Sequence, residues 1–248
     1  MLSKTKELLS ICSSCEEVRP RSRSHNYVPK NEILYDFNCF TKDIDLPDYD
    51  IAVVGTEYLS PRHSIFVIRK GYSRCTGNTI VILDHTYQEV FSCKNKLFSN
   101  IEILFNNNGK PILNTKVSVR STKLKKDNVN VMIDISEGEN DNSKYGILNG
   151  YSSNTECIYD VEYLNLITGR IENLEIISMK KRSQGYFTSY SIYWTNPYFN
   201  NSRRIMIAKI TRHSDMSTLT VEIAPRVDSA YIFAIALAIN KAFKMECY

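Results

Sequence analysis

The sequence predicts a mainly β protein, a closed antiparallel barrel of about twelve strands that encloses a hydrophobic C-terminal helix. The chain has 16 tyrosines and 10 phenylalanines in 248 residues, and aromatic side chains pack well on pleated sheets. From about Asp50 onward, apolar runs of strand length alternate with short segments rich in Gly, Asn and Asp. One long helical pattern follows at the C-terminus, and it is apolar on every side.

Residues 1–30 are expected to form a flexible basic tail, and residues 31–248 a single barrel domain. The tail contains RPRSRSHNYVPK, in which Arg, Ser and Pro occur without apolar periodicity. It has no apolar core of signal-peptide length, and the seven cysteines are irregularly spaced, so we expect a reducing, cytoplasmic location. The net charge of +4 permits peripheral contact with an anionic membrane, but is too small to indicate nucleic-acid binding.

The barrel strands are predicted mostly as hairpins. The run begins with IAVVGTEYL and HSIFVIRKGY, followed by the hairpin IVILDHTYQEVFSC, which bends at Asp84 and His85. IEILFNNNGKPIL is a second hairpin, because Asn and Gly tolerate the positive φ of a tight turn. Later hairpins bend at ITGR and at HSDM.

Between these groups of strands we expect a long acidic loop over residues 136–150, SEGENDNSKYGILNG. Its acidic residues Glu137, Glu139 and Asp141 lack the closing carboxylate and the flanking helices of a calcium-binding loop. The loop is therefore predicted to be a solvated connection without a metal ion.

The C-terminal segment is predicted to be a buried core helix, without a transmembrane span. The ten apolar residues from Ala230 to Ile239 cover only about 15 Å of helix, half the hydrocarbon thickness of a bilayer. Asp228 is expected to cap the helix, and alanines at intervals of four suit a strand wall that approaches closely. The residues predicted to form this central helix inside the barrel are Ala230, Ala234, Ala238, Ala242, Ile235 and Ile239.

Two stretches resemble the LURP-one-related family: GNTIVILDHTYQEVFSCKNKLFSNIEILFNNNGKPIL and TVEIAPRVDSAYIFAIALAI. The first carries the family's pair of hairpins with an Asp-containing turn, and the second its closing strand, its Val-Asp junction and its final apolar helix. The similarity spans about Asp50 to Phe243. It implies membership of the superfamily of the tubby C-terminal domain and the phospholipid scramblases, and a twelve-stranded barrel around a central helix.

The resemblance implies a non-enzymatic protein that binds an anionic ligand such as a phosphoinositide headgroup at the membrane surface, in signalling or defence. Tubby-like domains bind phosphoinositides through basic residues on the barrel surface. Two alternatives stay open, a scramblase-like lipid transporter and a scaffold for an unidentified protein partner. The chain differs from scramblases because it has no run of clustered cysteines and no Asp-rich segment just before the last helix.

The sequence predicts no catalytic residue, no metal site and no cofactor, since it contains no nucleophile elbow, phosphate loop or Rossmann glycine pattern. Cys12 and Cys15 form a lone CxxC without a second ligand pair at zinc-finger spacing. The four histidines are scattered among the tail and turns: His25, His63, His85 and His213.

Three basic clusters at strand ends are the candidate site for an anionic headgroup. Arginine can hold phosphate with two parallel hydrogen bonds, whereas lysine acts as a point charge. If two of these clusters share one end of the barrel, they would form a pocket for the headgroup; otherwise they serve as solubilising surface charge. The candidate residues are Lys123, Lys125 and Lys126, then Lys180, Lys181 and Arg182, and finally Arg203 and Arg204.

Overall fold

The computed structural model describes residues 41–73, 77–96, 99–121, 129–139, 143–152, 156–179, 189–198, 204–213 and 218–246. Within these residues, twelve antiparallel strands close into one barrel, and a single α-helix, α1, packs inside it, which confirms the predicted fold class. The elements are β1 Ser64–Ser73, β2 Gly77–Leu83, β3 Glu89–Asn95, β4 Ile101–Asn106, β5 Pro111–Ser121, β6 Val129–Glu137, β7 Lys144–Ser152, β8 Glu156–Asn165, β9 Arg170–Met179, β10 Ser189–Thr195, β11 Arg204–Arg212, β12 Leu219–Ile223 and α1 Ser229–Glu246.

Each strand pairs with its neighbours in the sequence, and β1 closes the barrel by pairing with β12. Because the strands run up and down in turn, their ends fall alternately at two rims. The start of β4 lies at the end of α1, since the Glu102 carboxylate is 3.8 Å from the Lys241 ammonium. We call this end the C-terminal rim. The opposite end, where α1 begins, is the N-terminal rim, and the β8–β9 turn belongs to it.

The predicted hairpin turns before β3, β5 and β9 are confirmed. The Asp84 carboxylate accepts hydrogen bonds from the backbone N–H of Thr86 (2.8 Å) and Gln88 (3.1 Å) and so fixes the β2–β3 bend. Gly109 and Gly169 have φ values of +74° and +66° in the β4–β5 and β8–β9 turns, a conformation that glycine adopts without steric cost. Of the predicted HSDM bend, residues 214–216 lie outside the described residues.

The helix α1 forms the centre of the core. The side chains of Ala230, Ala234, Ala238, Ala242, Ile235 and Ile239 are all at most 1% exposed and lie in the core of the barrel. Phe233 packs edge-on against Phe66 and Phe91, with ring centroids 4.9 and 5.3 Å away. In the described part of the chain, no helix has the length and apolar content needed to cross a bilayer.

Asp228 caps α1 as predicted, because its Oδ1 accepts a hydrogen bond from the Tyr231 N–H at 3.1 Å. Its Oδ2 also accepts hydrogen bonds from three consecutive N–H groups, those of Val53, Val54 and Gly55. The prediction of a strand over IAVVGTEYL is wrong for this reason. Three successive N–H groups that converge on one oxygen cannot alternate as a β ladder requires, and the segment forms two isolated bridges and a 3-10 turn, Thr56–Tyr58.

The expected acidic loop over residues 136–150 is also wrong in extent. Strand β6 continues to Glu137 and β7 begins at Lys144, so only residues 138–143 connect the two strands. A Cβ on Gly146 would collide with the Tyr231 hydroxyl, and one on Gly150 with the Tyr159 ring. These glycines therefore make room for core aromatic rings, although their composition is typical of a loop. The predicted tail, residues 1–30, lies outside the described residues.

Candidate functional site

Of the eight predicted cationic residues, only Arg204 lies in the described part of the chain. Its guanidinium is 3.0 Å from the Glu175 carboxylate and 3.9 Å from the centroid of the Tyr193 ring, so it already has an ion pair and a ring contact. The others lie outside the described residues: Lys123, Lys125, Lys126, Lys180, Lys181, Arg182 and Arg203. Their role stays a prediction.

The strand ends next to these clusters can be assigned to the two rims. Ser121 and Val129, which end β5 and begin β6, belong to the C-terminal rim, as do the end of β9 and the start of β10 at Ser189. Arg204 begins β11 and pairs with Thr195, so it belongs to the N-terminal rim. The strand order therefore separates Arg204 from the ends that flank the two lysine-rich clusters.

A second group of charged residues, which the sequence analysis missed, gathers around the end of α1. It consists of four cations and one carboxylate, contributed by β1, β4, β11 and α1. No linear motif in the sequence indicates this group of charged residues. Its members are separated by up to about 170 positions, and only barrel closure brings them together. We call this set the rim cluster, and its members are Lys70, Glu102, Arg212, Lys241 and Lys244.

The electrostatics of the rim cluster show that its charges are close and partly withdrawn from water. Burial lowers the pKa of Lys244, and the nearby charges of Lys70, Arg212 and Lys241 lower it further, whereas Glu102 acts in the opposite direction. Burial raises the pKa of Glu102, against the effect of Lys241 and Lys244. The cluster has more cationic groups than its single carboxylate can balance, which favours an anion at this rim.

Arg212 is fixed by its surroundings. Its side chain is buried, and the guanidinium lies 3.7 Å from the centroid of the Phe243 ring and 5.9 Å from that of Tyr190. A guanidinium that stacks on aromatic rings is held in one plane, which fixes the direction of its N–H groups.

Buried polar atoms adjoin these cations. Thr115 lies directly opposite Glu102 in the β4–β5 register, and Asn240 precedes Lys241 on α1. Among the described residues, Glu102 Oε2, Thr115 Oγ1, Asn240 Oδ1 and Lys241 Nζ have no hydrogen-bond partner, although the first three side chains are at least nine-tenths buried. Buried polar groups usually have partners, so these atoms offer both donors and acceptors to a polar ligand.

The N-terminal rim holds a buried carboxylate of a different kind. Glu172 accepts hydrogen bonds from the hydroxyls of Thr168 (2.7 Å) and Tyr163 (3.0 Å), from the Asn165 amide (3.3 Å) and from the Trp194 indole (3.4 Å). Burial and the neighbouring Glu172 raise the pKa of Tyr163 well above its usual range. All four donors are neutral and already donate to Glu172, so these hydrogen bonds hold the β8–β9 hairpin in place.

The described histidines each have a local contact. His63 Nε2 is 2.9 Å from the Glu222 carboxylate, His85 Nε2 is 3.0 Å from the Arg62 guanidinium, and His213 lies against the Thr220 hydroxyl. In the described ranges, no three His, Cys, Asp or Glu side chains come together as a metal site would require. Cys12, Cys15 and His25 lie outside those ranges.

Comparison with known proteins identifies the family. No curated protein sequence matches this chain significantly. An X-ray structure of a protein from Arabidopsis thaliana is similar over 78% of this chain and 99% of that chain, at 16% identity and a TM-score of 0.48. A family model described as LURP-one-related matches residues 64–240, a range that contains all twelve described strands and most of α1. The chain therefore belongs to the LURP-one-related family.

Proposed function

We propose that this protein is a non-catalytic barrel that binds a phosphorylated polyol, with the headgroup of a phosphoinositide in a membrane as the first candidate. The observation that carries the proposal is the rim cluster, in which the charges of Lys70, Arg212 and Lys241 act on Lys244, and the single carboxylate, Glu102, lies 3.8 Å from the Lys241 ammonium. An excess of cationic groups in a partly desolvated site attracts phosphate more strongly than the same charges spread over an open surface.

The buried acceptors favour a ligand that carries hydroxyl groups over a simple anion. Glu102 Oε2 and Asn240 Oδ1 accept hydrogen bonds, and would repel a phosphate oxygen that approached them directly. They suit the hydroxyls of a polyol, while the Lys241 ammonium and the Arg212 guanidinium suit its phosphates. A phosphorylated inositol ring carries both kinds of group.

The lysine-rich clusters of the sequence analysis add to this proposal. The described strand ends that flank residues 122–128 and 180–188 belong to the C-terminal rim, on the same side as the rim cluster. We therefore propose that Lys123, Lys125, Lys126, Lys180, Lys181 and Arg182 contact the same anionic membrane. Arg204 is left out, because it begins β11 at the other rim and is paired with Glu175.

Liposome flotation tests the proposal. We expect the wild-type protein to float with phosphatidylcholine vesicles that contain phosphatidylinositol bisphosphate, and to stay behind with pure phosphatidylcholine. The double variant Lys70→Ala/Lys244→Ala should lose at least about tenfold in apparent affinity, which corresponds to 1.4 kcal/mol. The matched control Lys110→Ala/Lys144→Ala removes the same charge at the N-terminal rim, and should bind like the wild type.

Two further measurements distinguish a phosphoinositide headgroup from other sources of negative charge. Vesicles with phosphatidylserine at equal total charge test a merely electrostatic attraction, and soluble inositol trisphosphate tests recognition of the headgroup without a bilayer. A second variant, with Lys180, Lys181 and Arg182 replaced by alanine, tests the lysine-rich cluster separately. If neither variant changes flotation, the lipid proposal is wrong and a protein-interaction scaffold takes its place.

A further inference from the structure

The tip of the β8–β9 hairpin exposes four large aliphatic side chains. The exposed fractions are 45% for Leu164, 48% for both Leu166 and Ile167, and 74% for Ile171. Leu164 and Ile171 are direct cross-strand partners, so their side chains form one patch on the outer face, and the other two lie in the turn. We call these four residues the hairpin tip. Contiguous exposed apolar side chains mark interaction sites, whereas apolar side chains scattered singly over a surface are ordinary.

Hydrogen bonds beneath the hairpin tip fix its backbone. Asn165 is fully buried, and its amide donates to the Asp50 carbonyl (3.1 Å), while its side-chain oxygen accepts from the Ile167 N–H (3.0 Å). The Leu166 N–H donates to the Ala52 carbonyl at 2.8 Å. The backbone of the turn is therefore fixed, and a partner would meet a surface that needs little ordering on binding.

An acidic band borders the hairpin tip on the same outer face. Asp160 and Glu162 are exposed and alternate with Leu164 along β8, and Glu175 faces Asp160 across the β8–β9 pair. Like charges directly opposite each other disfavour the sheet. Glu175 has an ion pair with Arg204, but Asp160 and Glu162 make no ion pair among the described residues.

We propose that the hairpin tip and the acidic band together bind a protein segment that carries aliphatic side chains next to lysines or arginines. The apolar part fits the four exposed aliphatic side chains, and the basic part would relieve the repulsion around Asp160 and Glu162. An anionic membrane would be repelled by the same carboxylates, and so would the identical face of a second copy. The surface lies at the N-terminal rim, so the inference does not depend on the proposed lipid site.

Synthetic peptides provide the probes. Three fluorescent peptides of equal length are compared by anisotropy: one alternates Leu with Lys, one alternates Leu with Glu, and one alternates Ser with Lys. We expect the Leu/Lys peptide to bind the wild-type protein at least about tenfold more tightly than the Ser/Lys peptide. The tip variant Leu164→Ser/Ile171→Ser and the acid variant Asp160→Asn/Glu162→Gln should each weaken that binding at least about fivefold.

Matched controls locate the effect on this surface. Met132→Ser removes another exposed apolar side chain, on β6, and Glu89→Gln/Glu137→Gln removes two exposed carboxylates elsewhere. Both controls should bind the Leu/Lys peptide like the wild type. Binding of the Leu/Glu peptide, which the rim cluster can attract, should be unchanged in the tip variant.

Several results would overturn the inference. One is Leu/Lys binding that survives the tip or the acid variant unchanged, and another is an equal loss of Leu/Glu binding in the tip variant. Flotation with phosphatidylcholine vesicles that disappears in the tip variant would identify a bilayer as the occupant. A dimer in sedimentation analysis that becomes a monomer in the tip variant would identify a second copy instead.

Discussion

At the scale of single residues, Asp228 connects the start of α1 to the chain before β1. Its carboxylate is almost completely buried and accepts four backbone hydrogen bonds, three of them from the segment that precedes the barrel. Burial raises the pKa of Asp228, and the backbone N–H donors oppose that rise. One side chain therefore serves both as helix cap and as the link that holds a separate segment over the N-terminal rim.

We expect Asp228→Ala to lower the free energy of unfolding by about 3–5 kcal/mol, because it removes a helix cap and leaves buried N–H donors without acceptors. Urea denaturation followed by circular dichroism measures the change. Asp228→Asn, which keeps one side-chain oxygen, should be destabilised less than the alanine variant. A loss below about 1 kcal/mol for the alanine variant would contradict this account of the cap.

Glu102 gives a pH-dependent prediction. Burial raises its pKa, so the folded protein binds the proton more tightly than the unfolded chain, where the pKa is about 4.3. The contribution of Glu102 protonation to the free energy of unfolding is fully present below about pH 4. It is lost as the pH rises through the folded-state pKa of Glu102. The wild type should therefore lose stability relative to Glu102→Gln as the pH increases from about 4 upward.

Urea unfolding of both proteins at several pH values measures this difference. Glu89→Gln, an exposed position on β3, is the matched control for the loss of a carboxylate. The prediction would be contradicted if the difference in free energy of unfolding between the wild type and Glu102→Gln stayed constant with pH. It would also be contradicted if that difference changed in favour of the wild type as the pH rises.

At the scale of elements, the helix α1 has the side chains that a closed barrel can accommodate. Tyr231, Phe233 and Ile235 are almost completely buried in the interior, and small alanine side chains leave room for the strands beside the helix backbone. The close approach is mutual, since Gly146 on β7 leaves room for the Tyr231 hydroxyl. Helix and strands are therefore matched in volume.

Ala234→Leu adds three carbon atoms where the side chain has no exposed surface. We expect it to lower the free energy of unfolding by about 1–3 kcal/mol, because an interior packed at crystal density resists extra volume. Thermal unfolding compares it with Met245→Leu, a substitution on the same helix at an exposed position. An Ala234→Leu protein as stable as the wild type would show that α1 is loosely packed.

At the scale of the whole molecule, barrel closure places the two proposed binding surfaces at opposite ends. The C-terminal rim gathers the cations of the rim cluster, whereas the N-terminal rim presents the hairpin tip with Asp160 and Glu162 below it. Under the two proposals, the protein would hold an anionic membrane at one end and a basic protein segment at the other. The two proposals can fail separately, because their residues lie on different elements.

The fold was predictable because its signals are local. Hairpin turns depend on residues such as Asp84 and Gly109, strands on alternation, and the central helix on its uniformly apolar surface. The prediction failed where a residue's role depends on a distant partner. Ile51–Leu59 has the composition of a strand, but its N–H groups turn to Asp228.

What the sequence by itself determined is therefore the set of strands and the burial of α1, since period and turn chemistry act over a few residues. Only the tertiary structure decided which side chains meet. Glu102 and Lys241 are far apart in the sequence, and Gly146 and Gly150 look like loop residues until Tyr231 and Tyr159 are placed beside them. The physical reason is that the register of twelve paired strands fixes these contacts, and that register exists only once the barrel has closed.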